Sequence, residues 1–185
     1  MRKVMIVASS LDGYIAQSRE QVSTAWTSSE DKQWFGQITR ELGVMVMGGP
    51  TYETIGRPLP ERKLIVMTLE EELDGARSIA DFDLESKDGL YQARSMSVQE
   101  VVAALAEKDA KQMAICGGAT IYREFLLAGE VDEIYLTLEP VLFGGGVKLL
   151  GEGPCRHPIQ LELITKIELS MQTTVLHLRV KGLQK

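Results

Sequence analysis

The sequence predicts an α/β fold with a mixed, mostly parallel central sheet. Short apolar runs rich in valine, isoleucine and methionine alternate with segments of helical periodicity, which is typical of parallel strands joined by helices. After residue 131 two further strand-like runs follow with no helical pattern between them, which indicates an antiparallel end to the sheet. The length of 185 residues fits one domain, residues 1–185, without internal repeat or linker.

The individual elements follow from periodicity and capping. Strands are predicted at residues 4–8, 44–47, 64–68, 113–116 and 131–138, and in the antiparallel part at 159–170 and 172–180. Helices are predicted at residues 29–42, 51–55, 98–108 and 121–128. The third helix is the best marked, because Ser97 and Glu100 form a capping box before its apolar run. The acidic segment 69–89 is expected to be a solvated excursion.

Composition restricts the class of partner. The net charge is −6 and no block of lysine and arginine occurs, which argues against nucleic acid or an anionic membrane and favours a small molecule. Cys116 ends an apolar run and Cys155 lies in a loop-like stretch, so a disulfide framework is not expected and a reducing cytoplasm is the expected location. The apolar run near the N-terminus is too short for a signal sequence, and no run approaches membrane-spanning length.

The two histidines restrict the chemistry. His157 and His177 lie far apart without neighbouring ligand types, which argues against a zinc site and against a Ser-His-Asp triad. The alternating pattern of TTVLHLRV makes His177 a strand residue. The group that donates or accepts a proton in a reaction would then be a carboxylate, a tyrosine, a lysine or water.

Asp31 has an unusual position between Trp26 and the Trp34-Phe35 pair. One interpretation is a first-turn acid of a helix capped by Ser28 or Ser29, where negative charge favours the helix dipole. The other is a carboxyl group whose pKa is raised by an apolar pocket, because Asp31 lies three residues before Trp34 and borders the same helix face. The sequence supports both interpretations equally.

Glycine clusters follow several predicted strands, at Gly48-Gly49-Pro50, Gly117-Gly118-Ala119-Thr120 and Gly144-Gly145-Gly146. In the first two, a strand runs into glycines and then into a helix, so that bare backbone N–H groups could face an anion such as a dinucleotide pyrophosphate. The alternative is a tight turn with no ligand. Neither cluster has the G-x-G-x-x-G spacing of a Rossmann domain.

Taken together, several motifs resemble the dihydrofolate reductase superfamily, which includes the RibD C-terminal reductases of riboflavin biosynthesis. The motifs are SLDGYIA, the W-x4-D-x3-F-x3-T pattern from Trp26 to Thr39, MGGPTYETIGRPLPERK, ICGGATIYREF and DEIYLTLEPVLFGGG. The resemblance covers most of the chain and implies a three-layer α/β/α fold and an NADPH-dependent reductase, with NADH as a further possible cofactor.

The resemblance also implies roles for individual residues. Asp31 resembles the acid that binds the pterin edge and assists protonation, Thr137 the threonine bonded to that acid, and Trp26 the residue that orders the water involved. Arg62 resembles the arginine that binds a folate carboxylate, a task suited to a guanidinium. The remaining substrate contacts implied are Val7 and Phe35. The implied cofactor contacts are Ala8, Ile15, Gly48, Gly49, Thr51, Thr68, Gly117, Gly118, Ala119, Thr120, Ile121 and Tyr122.

The chain also departs from both family patterns. Gly49-Pro50-Thr51 stands where many dihydrofolate reductases have the Arg-x-Thr that contacts the 2'-phosphate of NADPH, and Ala25 stands where they have a proline. SLDGYIA and EPVLFGGGVKLL are of the riboflavin type, yet ITRELGVM lacks the His-x-x-Arg-like element of those enzymes.

Three functions are therefore compared. Reduction of an aminopyrimidine, as in 5-amino-6-(5-phosphoribosylamino)uracil reductase, is placed first on the overall pattern, and reduction of dihydrofolate is placed second on the site residues. The third is a non-catalytic nucleotide-binding protein. A homodimer is expected from the resemblance and from the strand-rich C-terminal region without a covering helix.

Overall fold

The computed structural model describes residues 1–22, 25–153 and 158–183. In chain order its strands are β1 (Arg2–Ser10), β2 (Tyr14–Ala16), β3 (Val44–Gly48), β4 (Lys63–Thr68), β5 (Arg77–Ser78), β6 (Gly89–Arg94), β7 (Gln112–Ile115), β8 (Glu133–Glu139), β9 (Val147–Lys148), β10 (Ile159–Glu168) and β11 (Thr174–Leu183). The helices are α1 (Ser29–Leu42), α2 (Gly49–Ile55), α3 (Val98–Glu107) and α4 (Ala119–Leu127), and a short 3-10 helix spans Ile79–Asp81.

Within the described residues, nine strands form one sheet in the order β10-β11-β8-β1-β7-β3-β4-β6-β5. The strands from β8 to β5 are parallel, whereas β11 is antiparallel to β8 and β10 is antiparallel to β11. The predicted mixed sheet with an antiparallel C-terminal end is confirmed. Because the parallel strands share one direction, the carboxyl ends of β1, β7, β3 and β4 meet at the same edge of the sheet.

Helices cover both faces of the sheet, which makes the fold three-layered. One face packs against α3 and α4, where Val101, Leu105 and Phe125 are fully buried. The other face packs against α1 and α2 through Trp34, Ile38 and other partly buried side chains. Burying one such side chain contributes roughly 1.5–3 kcal/mol, so these two layers fix α1 and α4 on opposite sides of the shared strand edge.

The sequence pattern predicts no strand at β6, and this prediction was wrong. Its sequence GLYQAR is short and follows the acidic segment, yet Leu90, Tyr91 and Ala93 are buried because β6 lies between β4 and β5. Segment 69–89 is an excursion with exposed acids, but Ile79 and Phe82 anchor it in the core. The short β2, β5 and β9 were also missed.

The cysteine and histidine expectations have mixed outcomes. Cys116 is free and buried, as predicted, and burial raises the pKa of its thiol. His177 lies on β11, where it bonds to Glu133 at 2.7 Å and stacks on Tyr135. Cys155 and His157 lie outside the described residues. Among the described helices, none is long and apolar enough to cross a membrane.

Candidate active site

A large cleft opens at the carboxyl ends of the parallel strands, the edge at which open α/β sheets bind ligands. Its volume is about 2090 Å³. Pockets for a single small ligand commonly measure roughly 300–1000 Å³, so this cleft has room for two ligands side by side. Residues from β1, α1, α2, β4, the β7–α4 turn and β9 line it.

Asp31 places a buried carboxyl group in this cleft. It belongs to the first turn of α1, whose N-cap Ser28 accepts the Asp31 backbone N–H at 3.1 Å. The side chain is 7% exposed and hydrogen-bonds to Thr137 and Thr27. Burial raises the pKa of Asp31, although the two threonine hydroxyls act in the opposite direction. Both sequence interpretations therefore describe part of the site: Ser28 caps the helix, and Asp31 is a buried carboxyl with a raised pKa.

Glu139 is a second buried acid beside Asp31, and the sequence analysis did not identify it. It is 4% exposed at the end of β8, and its Oε1 accepts hydrogen bonds from the backbone N–H and the hydroxyl of Ser28, both at 2.8 Å. Its Oε2 accepts from Thr173 Oγ1 at 3.1 Å. The charge of Glu139 also raises the pKa of Asp31. The only sequence signal was an acid two positions after Thr137, on the same face of β8.

Trp26 precedes Thr27, which bonds to Asp31, and it does not line the cleft. Its ring meets the Phe143 ring edge-on, with centroids 4.9 Å apart. Its indole N–H is buried and has no partner among the described residues. Such a donor is costly to leave unpaired, so it suits an ordered water, in keeping with the role that the resemblance implies.

Arg62 supplies a buried cation on the α1 and α2 side of the cleft. It is 6% exposed, and its Nε and Nη1 groups donate to Pro60 O and Thr39 Oγ1, each at 2.9 Å. Within the described part of the chain no carboxylate pairs with it. Burial, followed by the charge of Arg40, lowers the pKa of this guanidinium. A buried guanidinium with spare donors is suited to a carboxylate or phosphate of a ligand.

The turn between β7 and α4, at Gly117 and Gly118, exposes backbone without side chains to the cleft, and we call it the β7–α4 cradle. Gly117 has φ +110°, and a Cβ there would lie 3.1 Å from the Tyr122 hydroxyl oxygen. A Cβ on Gly118 would lie 3.0 Å from Thr51 Oγ1. Gly118 is the N-cap of α4 and makes no side-chain cap, so the first N–H groups of the helix face the cleft without such a partner. This turn can accept an anion such as a pyrophosphate.

The segment after β1, which includes β2, forms a further wall of the cleft. β2 pairs with β9, so Ile15 lies between β1 and the glycine turn that precedes β9. Asp12 holds that turn: its carboxylate accepts backbone N–H bonds from Phe143 at 3.1 Å and Gly144 at 2.7 Å. The Gly144 to Gly146 turn, whose role the sequence left open, thus supports this cleft wall.

The structure brings most of the predicted site residues together. The cleft lining includes Val7, Ala8, Ile15, Asp31, Phe35, Gly48, Gly49, Thr51, Arg62, Thr68, Gly117, Gly118, Ala119, Thr120, Ile121 and Tyr122. Thr137 and Trp26 are outside the lining; Thr137 is 1% exposed and bonded to Asp31. Across the described ranges no group of acids, histidines and cysteines is arranged to hold a metal ion.

The chain is similar in sequence to known dihydrofolate reductases. The dihydrofolate reductase family model matches residues 3–141. The dihydrofolate reductase of Haemophilus influenzae is 28% identical over 133 residues, which are 72% of this chain and 69% of that protein. Other curated dihydrofolate reductases match over about half of their own length.

Solved structures share the fold at lower identity. RibD of Acinetobacter baumannii is 18% identical with a TM-score of 0.78 over 98% of this chain and 58% of that one. The dihydrofolate reductase of Enterococcus faecalis, solved with NADP(H), is 21% identical with a TM-score of 0.67 over 98% of this chain and 97% of that one. The matched sequence pattern covers β1 to β8 and the cleft they form, and the chain belongs to the dihydrofolate reductase family.

Proposed function

We propose that this protein is a reductase that transfers a hydride from a reduced nicotinamide dinucleotide to a dihydropterin ring, as in the reduction of dihydrofolate. The observation that carries the proposal is the buried Asp31 carboxyl group, which faces the cleft and is held by Thr137 and Thr27. Family membership supports the reductase class.

The cleft has a place for each ligand. The β7–α4 cradle fits the pyrophosphate of a dinucleotide, because the first N–H groups of α4 have no side-chain cap and Gly118 presents no side chain there. Bound there, the reduced nicotinamide would supply the hydride. The region between α1 and α2 remains for the second ligand, with Phe35 and Leu59 as apolar walls and Arg62 as an anion-binding group.

Asp31 would orient the substrate and support its protonation. Reduction of a C=N bond places the hydride on carbon and a proton on nitrogen, so the site must hold a proton where water access is limited. A carboxyl group whose pKa is raised by burial retains a proton more readily at neutral pH. The buried indole N–H of Trp26, which lacks a partner among the described residues, is a donor that can hold an ordered water molecule.

The hydrogen-bond donors of a dihydropterin fit the Asp31 carboxylate. A carboxylate accepts two N–H bonds in parallel from an amidine-like edge, which a dihydropterin offers through its 2-amino group and N3. The riboflavin-pathway aminopyrimidine also has two adjacent donors, its ring N1–H and the N–H on C6, but that second nitrogen carries the ribose phosphate and is not a free amino group. Arg62 fits the carboxylate of a folate tail.

Reduction of the riboflavin-pathway aminopyrimidine is the second candidate, although the sequence pattern placed it first. The similarity to RibD over 98% of this chain supports the same fold. Arg62 could also bind the ribose phosphate of that substrate. The cofactor expected from the resemblance is NADPH, with NADH as the alternative, and a second copy of the chain is the expected partner.

The test measures NADPH and NADH oxidation with dihydrofolate and with the aminopyrimidine, for the wild type and two variants. Asp31→Asn should lower kcat/KM for dihydrofolate by about 100-fold or more, because it removes the acid from the site. Glu30→Gln is the matched control: Glu30 is the neighbouring first-turn acid, exposed and bonded to Ser29, and its loss should leave the rate unchanged.

Each outcome has a defined meaning. Turnover of the aminopyrimidine alone would replace the dihydrofolate proposal by the second candidate. Equal rates for Asp31→Asn and the wild type would contradict the role of Asp31. Thermal stabilisation by dinucleotides without turnover of either substrate would favour a non-catalytic nucleotide-binding protein.

A further inference from the structure

We infer that Glu70 makes the adenosine end of the cleft selective for NADH over NADPH. The inference rests on the proposed function, because it assumes that a nicotinamide dinucleotide occupies the cleft. It reverses the NADPH preference that the family resemblance implies. Glu70 follows β4 directly and is among the residues that line the cleft.

The strand order sets the direction of the dinucleotide. Asp31 lies under the β8 and β1 side of the sheet, where it bonds to Thr137 of β8. The pyrophosphate cradle follows β7, between β1 and β3. A nicotinamide that reaches Asp31 therefore leaves the adenosine on the opposite side of the cradle, over the carboxyl ends of β3, β4 and β6.

That end of the cleft is polar and acidic. Thr68 at the end of β4 lines it, together with Leu69 and Glu70 after that strand, Ser95 and Ser97 between β6 and α3, and Gln99 in the first turn of α3. The segment continues with the exposed acids Glu71, Glu72 and Asp74. Of these acids only Glu70 lines the cleft, and its negative charge would repel a phosphate group that carries about two negative charges.

No lysine or arginine among the described residues lines this end. The cations that line the cleft lie after β2, on α1, between α2 and β4, and on β9: Arg19, Lys32, Arg57, Arg62 and Lys148. Arg94 is near in sequence, but its guanidinium lies 3.5 Å from the Glu71 carboxylate and it does not line the cleft. A 2'-phosphate would thus lack a cationic partner.

The start of α2 does not replace the missing cation. A Cβ on Gly49 would lie 3.3 Å from Thr68 Oγ1, which is a tight contact against β4. The backbone therefore approaches Thr68 closely and leaves no side chain to reach a phosphate. In contrast, a ribose 2'-hydroxyl can donate a hydrogen bond to a carboxylate, which is how many NAD-binding sites select their cofactor. Glu70 follows β4, which is separated from β7 by β3.

The experiment measures Kd for NAD⁺ and NADP⁺ by titration calorimetry at low and at high salt. The wild type should bind NAD⁺ about tenfold more tightly, and the ratio should shrink at high salt because screening weakens the repulsion of the 2'-phosphate. Glu70→Gln should reduce the ratio by roughly threefold or more, through weaker NAD⁺ binding and stronger NADP⁺ binding. Glu71→Gln is the matched control, because the Glu71 side chain is 92% exposed and outside the cleft lining.

The outcomes separate this inference from the proposed function. Tighter binding of NADP⁺ by the wild type would overturn the inference and leave the reductase proposal intact. A selectivity for NAD⁺ that Glu70→Gln leaves unchanged would overturn the role of Glu70. Absence of binding for both dinucleotides would reject the proposed function itself, and the inference with it.

Discussion

The carboxyl groups of Asp31 and Glu139 share one buried polar cluster at the start of α1. Ser28 connects them, since its hydroxyl donates to Glu139 and accepts from the backbone N–H of Asp31. Two negative charges in one buried cluster are unfavourable, but the N-terminus of α1 and the threonine hydroxyls offset part of that cost. Burial is the main cause of the raised pKa of Asp31, and the neighbouring negative charge of Glu139 acts in the same direction.

Replacing Glu139 should shift the titration of Asp31. Loss of a neighbouring negative charge makes the ionised form of Asp31 easier to reach, so the pKa of Asp31 should fall in Glu139→Gln. The corresponding limb of the pH profile of kcat/KM should move to lower pH. The control is Glu133→Gln, on the same face of β8, because Glu133 bonds instead to His177 and Arg2. An unshifted profile in Glu139→Gln would show that its charge does not act on Asp31.

At the scale of elements, the turn between β8 and β9 positions the wall of the cleft. Gly146 has φ +130°, and a Cβ there would lie 2.2 Å from the Ala16 carbonyl oxygen and 2.9 Å from Gln17 Cα. Both contacts are with backbone, so β2 and β9 could not keep their pairing around a larger residue.

Gly146→Ala should therefore lower both stability and cofactor affinity. The cost in unfolding free energy is about 1–3 kcal/mol, since the substitution strains the backbone and separates β2 from β9. Thermal unfolding and the KM for the dinucleotide measure the two effects. Gly145→Ala is the control, because a Cβ at Gly145 meets nothing within 4 Å, and it should change stability by less than about 0.5 kcal/mol. Equal behaviour of the two variants would contradict the close contact.

At the scale of the whole molecule, the outer strand β10 exposes apolar side chains at one edge of the sheet. Leu161 is 44% exposed and Leu163 is 53% exposed, on a ten-residue strand that ends the sheet. A long apolar edge strand normally pairs with another chain or is covered. We expect a second copy of this chain to cover it.

Sedimentation equilibrium at micromolar concentration should therefore give the mass of a dimer. Leu163→Glu should weaken the dimer by roughly tenfold or more, because it places a charge in an apolar contact. Leu142→Glu is a suitable control, since Leu142 is 71% exposed but lies outside β10. A monomer for the wild type would contradict the predicted assembly.

Strong local signals explain which parts of the fold were predictable. The capping box of Ser97 and Glu100 is present at the start of α3, and the buried runs of β3 and β4 lie where their apolar patterns placed them. β6 was not predictable, because Leu90 and Tyr91 are buried only by the strands on either side. The edge pairing of β2 with β9 joins segments more than a hundred residues apart, which leaves no local signal.

The sequence by itself determined the α/β order, the antiparallel end of the sheet and the motifs that resemble one family. Those properties depend on periodicity and on short patterns, which are local. The resemblance implied the pairing of Asp31 with Thr137, whereas only the tertiary structure decided that Asp31 is buried, that Glu139 joins the same cluster, and that Glu70 lines the cleft. These facts depend on strand order, because the parallel sheet brings distant segments to one edge, and burial and charge at that edge are set by what meets there.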